Sequence, residues 1–170
     1  ANKFIENISN KIMEQMNDNK KATKKNSKKL KQSDMELKIA RSEIFLITGN
    51  MIEGLKAIDE IIKDYPEMEK SEKYRLLTNK AYAIKRIEGA EKALEIINDV
   101  LLNTLKSDPR YADALYNKIC YLALIGEEKE DEMFMSIRLL NTLNEQCALD
   151  LKDDPDFSAY KNNEIYLNII

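Results

Sequence analysis

The chain has 170 residues, of which 44% are apolar and 34% charged, and its formal net charge is −3. It holds no histidine and no tryptophan, with two cysteines, four glycines and three prolines. Without histidine, His-built metal sites, Ser–His and Cys–His nucleophiles and imidazole acid–base catalysis are excluded, and so few turn residues argue against an all-β fold.

Charge is unevenly spread along the chain. Residues 1–33 carry nine lysines against three acids, whereas residues 34–170 carry eighteen basic and twenty-seven acidic groups. Composition thus predicts an N-terminal segment, 1–33, followed by a helical domain, 34–170. No apolar stretch approaches the ~20 residues of a membrane span. The opening Ala1-Asn2-Lys3-Phe4 lacks the apolar run of a signal peptide, so a cytoplasmic protein is expected.

Residues 4–16 place Phe4, Ile5, Ile8, Ile12, Met13 and Met16 on one face, the period of an amphipathic helix. Three neighbours for that stripe stay open: the first helices of the domain, a second copy in a homodimer through residues 1–17, or a membrane surface. Residues 17–33 have only Ala22 and Leu30 as apolar side chains. Lys20, Lys21, Lys24, Lys25, Lys28, Lys29 and Lys31 put seven cations in twelve residues. Like charges four apart weaken a helix, so a mobile linker, or a helix formed only against an anion, is expected. These lysines are the anion-contact candidates, for nucleic acid or an anionic membrane surface. The segment has no aromatic on which bases would stack, so nucleic-acid binding would be unspecific. The competing reading is a linker kept soluble by its charge.

A helix cap is expected at Ser33 or Asp34, with Glu36 completing a weak capping box. Helices follow at 35–48, 51–64, 70–87, 89–107, 110–125, about 130–150 and 156–168. Gly49, Gly89 and Gly126 fall inside successive pairs, spaced by 40 and 37 residues; Pro66, Pro109 and Pro155 follow the pairs, spaced by 43 and 46. Glycine takes the turn within a pair and proline stops the second helix. Asp108-Pro109 and Asp154-Pro155 read as N-caps with proline at the first helical position. The expected fold is all-α: an α-solenoid of about three antiparallel helix pairs (35–66, 70–107, 110–150) plus the terminal helix and the N-terminal amphipathic helix. Cys120 and Cys147 lie in apolar helical patterns and are expected as buried free thiols, a disulfide being unusual in a chain that looks intracellular.

Residues 35–68 resemble a tetratricopeptide unit, a pair of helices about 34 residues long. Ser42, Phe45, Gly49, Gly54, Ile58 and Pro66 follow the unit's succession of small, aromatic, glycine, small, apolar and proline positions, with Ile61 where a further small residue is usual. In a second unit Ala81, Ile84, Ala93 and Ile97 match, with Gly89 displaced by one and the second helix running past the unit's proline. A third unit opens on Ala114-Leu115-Tyr116-Asn117 and keeps Gly126; there Asp131 replaces an alanine, and an insertion within 127–132 restores the phase. The resemblance covers about residues 35–145.

The resemblance implies a concave groove lined by the first helix of each pair, holding a peptide or a partner helix. The corresponding positions are Glu36, Ile39, Glu43 and Leu46; then Arg75, Thr78, Asn79, Tyr82, Lys85 and Arg86; then Asp113, Tyr116, Asn117, Cys120 and Leu124. Glu43, Arg75, Asn79, Tyr82, Lys85, Arg86, Tyr116 and Asn117 are the groove candidates. Asn79 and Asn117 recur at one repeat position, and a primary amide both donates to and accepts from a peptide backbone; each equally suits a bond to its own neighbours. Some members of that family clamp a chaperone's carboxyl-terminal tail with lysine, asparagine and arginine; here Ile39, Glu43, Asp113 and Asn117 stand at those places, and the two acids would repel such a tail. The mixed groove suits an acidic or amphipathic protein segment. Carboxylate neighbours such as Asp59-Glu60 and Asp153-Asp154 point apart or sit at a helix boundary. No catalytic residue, metal or cofactor is expected.

Overall fold

The computed structural model describes residues 26–169, and among these the regular structure is helical with no strand. The chain divides into two units, 1–40 and 41–170. Helix α1 covers 26–47. It is followed by α2 (Met51–Asp64), α3 (Lys70–Ile87), α4 (Ala90–Asn103), α5 (Pro109–Ile125), α6 (Glu130–Leu143), α7 (Glu145–Leu149) and α8 (Glu164–Ile169). Short 3-10 turns occupy Glu127–Lys129, Asp150–Asp153 and Pro155–Tyr160. The expected amphipathic helix at 4–16, its homodimer contact and most of the linker lie outside the described residues.

The expected cap at Ser33 or Asp34 is corrected: residues 26–33 are already helical, and α1 runs through both. No glycine or proline interrupts 26–47, lysine is a good helix former, and like charges four apart cost only a few tenths of a kcal/mol. Gln32 Nε2 also donates to Glu36 Oε1 across one turn (3.0 Å). Met35, Ile39, Ser42 and Leu46 make the buried stripe of α1, at helical spacing.

In the second unit, each helix from α2 to α6 packs against its chain neighbour, and α3 also packs against α5. Alanines make the close contacts: Ala81, Ala83, Ala93 and Ala114 are fully buried. Ile58, Ile61, Leu76, Ile97, Ile119, Leu122, Met133, Ile137 and Leu140 fill the spaces between them. Burying each such aliphatic side chain contributes about 1.5–3 kcal/mol. Gly126, at φ 95° and ψ −149°, ends α5 in a conformation that side chains with a Cβ avoid, and Gly49 and Gly89 also have positive φ. At Gly54 the reason is space: a Cβ would come 2.5 Å from Leu46 Cδ2.

Two helices end earlier than expected. Helix α4 stops at Asn103, where Thr104 turns extended and its hydroxyl donates back to the Val100 carbonyl (2.7 Å). Leu105 and Leu102 are left exposed. The expected helix 130–150 breaks at Asn144, whose side chain accepts from Cys147 N (3.1 Å) and starts α7. The expected terminal helix 156–168 is two pieces. Asp154 accepts from Asp156 N (2.9 Å) to open a 3-10 turn, and Asn163 accepts from Tyr166 N (3.0 Å) to open α8. Asparagine and aspartate side chains compete with the helical backbone bonds and reset the chain. Packing holds these short pieces in place. Phe157, Tyr160 and Tyr166 are buried, the Phe157 and Tyr166 rings stacked at 5.2 Å, and the Tyr166 hydroxyl donates to the Leu151 carbonyl (2.9 Å).

Candidate functional site

Two adjoining hollows lie along α3 and share Asn79. The polar one, about 460 Å³, is lined by Arg75, Thr78 and Asn79 of α3 and by Arg110, Asp113 and Asn117 of α5. The smaller, about 300 Å³, is lined by Glu43, Leu46 and Ile47 of α1 and by Asn79 and Tyr82 of α3. Arg75, Asn79, Tyr82 and Arg86 follow one another at intervals of four, three and four, so a single stripe of α3 runs along both.

Alternating charges tie the three helices together. Arg75 donates Nε to Glu43 Oε1 (2.8 Å) and Nη2 to Glu43 Oε2 (2.7 Å), a two-bonded fork. Asn79 Nδ2 adds a longer bond to Glu43 Oε1 (3.3 Å). Glu72 lies 3.6 Å from both Arg75 Nη1 and Arg110 Nη2. The Nη1 of Arg110 is buried and has no hydrogen-bond acceptor among the described residues. Asn117 donates to the Asp113 carbonyl (2.9 Å), and its own oxygen accepts from the Tyr121 hydroxyl (3.4 Å).

Further along α3, Lys85 is covered, as is Tyr116 on α5. Lys85 Nζ pairs with Asp156 Oδ2 at 2.5 Å, and both side chains are largely buried. Tyr116 donates its hydroxyl to Asp154 Oδ2 (2.7 Å), and Cys120 Sγ lies 3.7 Å from the same oxygen. Burial, then the bond to Asp154, pushes the Tyr116 phenol well above its ordinary range, so it stays a donor. Burial, then the charges of Asp154 and Asp156, likewise pushes the Cys120 thiol up. Ligand atoms of Cys120, Asp154 and Asp156 lie within 4.8 Å of one another, close enough to share a cation. The Lys85 ammonium already supplies a positive charge there, and a protonated thiol is a poor metal ligand.

Of the groove candidates, Glu43, Arg75, Asn79, Tyr82 and Asn117 thus line the open hollows, and Arg86 lies over the Tyr82 ring at 5.6 Å. Lys85 and Tyr116 are turned to internal partners instead. Arg110 and Ile47 were not anticipated. Arg110 follows the Asp108-Pro109 cap and stands one turn before Asp113, which is the signal for it in the sequence. Among the anion-contact candidates, Lys28, Lys29 and Lys31 are exposed on α1, and Lys20, Lys21, Lys24 and Lys25 lie outside the described residues. Cys147 is half-buried and, like Cys120, a free thiol.

A third hollow, about 490 Å³, is lined by residues of α4, α5 and α6, among them Leu101, Leu102 and Leu139. Its charged groups answer each other: Lys118 bonds Glu132 at 2.7 Å. That bond, foremost, holds the Glu132 carboxyl below its usual range. Among the described residues no helix is long and apolar enough to cross a membrane. Comparison with protein-family models, curated proteins and solved structures gave no match.

Proposed function

We propose that this chain is a non-enzymatic protein-interaction module, a tetratricopeptide-like stack of antiparallel helix pairs whose trough holds a peptide or partner helix. The observation that carries the reading is the pair of open hollows joined at Asn79, one polar and one apolar, along α1, α3 and α5. Peptide segments need both kinds of lining: apolar walls for an anchoring side chain, and amides and charges for the backbone and flanking groups. Packing of α3 against α5, which are the first helices of successive pairs, supports the stacking. Two free thiols are in keeping with a reducing cytoplasm.

A photo-crosslinking residue at Tyr82 tests the reading. In an extract of the source cells it should capture a protein that the same group at Leu102 does not. Capture at neither position, or equally at both, overturns the trough as the contact surface.

Exposure of Lys28, Lys29 and Lys31 on α1 favours a second reading, contact with nucleic acid or an anionic membrane through the basic segment. Such binding would fall steeply with salt and vanish without residues 1–33. An affinity that survives that deletion removes it.

A further inference from the structure

We propose, resting on the peptide reading above, that the trough selects a segment with an apolar anchor flanked by an acidic side chain toward Arg86 and a basic side chain toward Asp113. The inference comes from which charges are already answered inside the fold. Glu43, Arg75, Glu72 and Arg110 neutralise one another in sequence, and Lys85 is paired with Asp156. A charged ligand group gains little from these pairs, because it must first displace an internal partner; the buried Arg110 Nη1, which lacks an acceptor among the described residues, is left for a ligand carbonyl oxygen. Arg86 and Asp113 differ. Each is exposed, and neither has an ion pair among the described residues.

They adjoin different hollows. Arg86 lies over Tyr82, which lines that hollow, and Asp113 lines the polar hollow across Asn79. Asn79 and Arg86 are seven residues apart on α3, about 10 Å at 1.5 Å per residue. An extended segment covers this in about three residues at ~3.3 Å each. The base must reach beyond Asn79 to Asp113 on α5, so the acid and the base of the ligand stand more than three residues apart, with the side chain that fills the Leu46–Ile47–Tyr82 hollow between them. A uniformly acidic segment would meet Arg86 but set a like charge against Asp113. Complementary charges at the rim fix register and suppress wrong partners more than they add affinity.

The experiment is selection of a displayed library of random twelve-residue peptides on the full chain, on Arg86→Glu and on Asp113→Lys. Both substitutions are at exposed positions, and circular dichroism should show the helix retained. Peptides enriched on the native chain should carry an apolar residue with an acid on one side and a base on the other, in one fixed order. Reversing that order should weaken binding about fivefold. Arg86→Glu should replace the acid by a base, and Asp113→Lys the base by an acid. Enriched peptides with no charge order, or with the same order on all three proteins, overturn this inference and leave the peptide reading standing. No enrichment over an unrelated helical protein overturns both.

Discussion

The stripe of groove candidates on α3 divides into two regions with opposite surroundings. From Arg75 to Tyr82 it faces open hollows. At Lys85 it meets the chain's own acidic turn, where Asp156 takes the ammonium and Asp154 takes the hydroxyl of Tyr116 on α5. Both regions hold a base and a tyrosine. What separates them is whether a later part of the chain supplies the complement. A charged side chain is a candidate for recognition only where folding has left it unanswered.

Substitutions on the covered side should be costly for stability. Phe157, fully buried beneath the stacked Tyr166 ring, anchors the covering turn. Phe157→Ala should lower unfolding free energy by about 3–5 kcal/mol in a denaturant titration. A loss well under 1 kcal/mol would mean the turn is not held by its core contacts. Lys85→Met leaves Asp156 without its cation in a largely buried place, for which about 3–5 kcal/mol is expected. Adding Asp156→Asn should restore most of that. If the double variant is as unstable as the single one, the pairing does not account for the position.

The tyrosines of this region set an alkaline limit. Burial pushes the Tyr166 phenol up to about 12 and raises those of Tyr116 and Tyr121 as well. An unfolded tyrosine ionises near 10, so the unfolded chain loses these protons first. The stability they contribute is whole below about pH 10 and falls as pH rises through the folded values. Tyr166→Phe should cost about 1 kcal/mol at neutral pH, because the Leu151 carbonyl loses one of its two donors and keeps Asp154 N. It should also flatten the fall in stability above about pH 10. An unchanged alkaline slope would remove Tyr166 from the account.

On the open side the balance reverses. Arg86→Glu and Asp113→Lys should each change stability by less than about 0.5 kcal/mol, as exposed substitutions usually do. They should nevertheless change which peptides bind. A stability loss comparable to that of Lys85→Met would show that this side, too, is answered from within.

Much of this architecture was legible in the sequence where punctuation was local. Helices α2 and α3 span the expected residues because Gly49, Pro66 and Gly89 bracket them. Arg75, Asn79 and Asn117 were legible as lining only through the resemblance to a tetratricopeptide unit, whose groove positions they occupy. Legibility failed where the deciding partner was distant. Asp156 is 71 positions from Lys85 and Asp154 is 38 from Tyr116, so nothing near either candidate announces its neutralisation. It also failed where a polar side chain bonds its own backbone, as Asn144 and Asn163 do. Apolar period continues through such positions although the helix does not.

The most direct test of the central claim is a nuclear magnetic resonance titration of the chain with a peptide enriched by the library selection. The account predicts shifts at the methyls of Leu46 and Ile47 and the side-chain amides of Asn79 and Asn117, with Cys120, Asp154 and Phe157 unmoved. Shifts centred on the Lys85–Asp154–Asp156 network, with Asn79 and Ile47 silent, would contradict it.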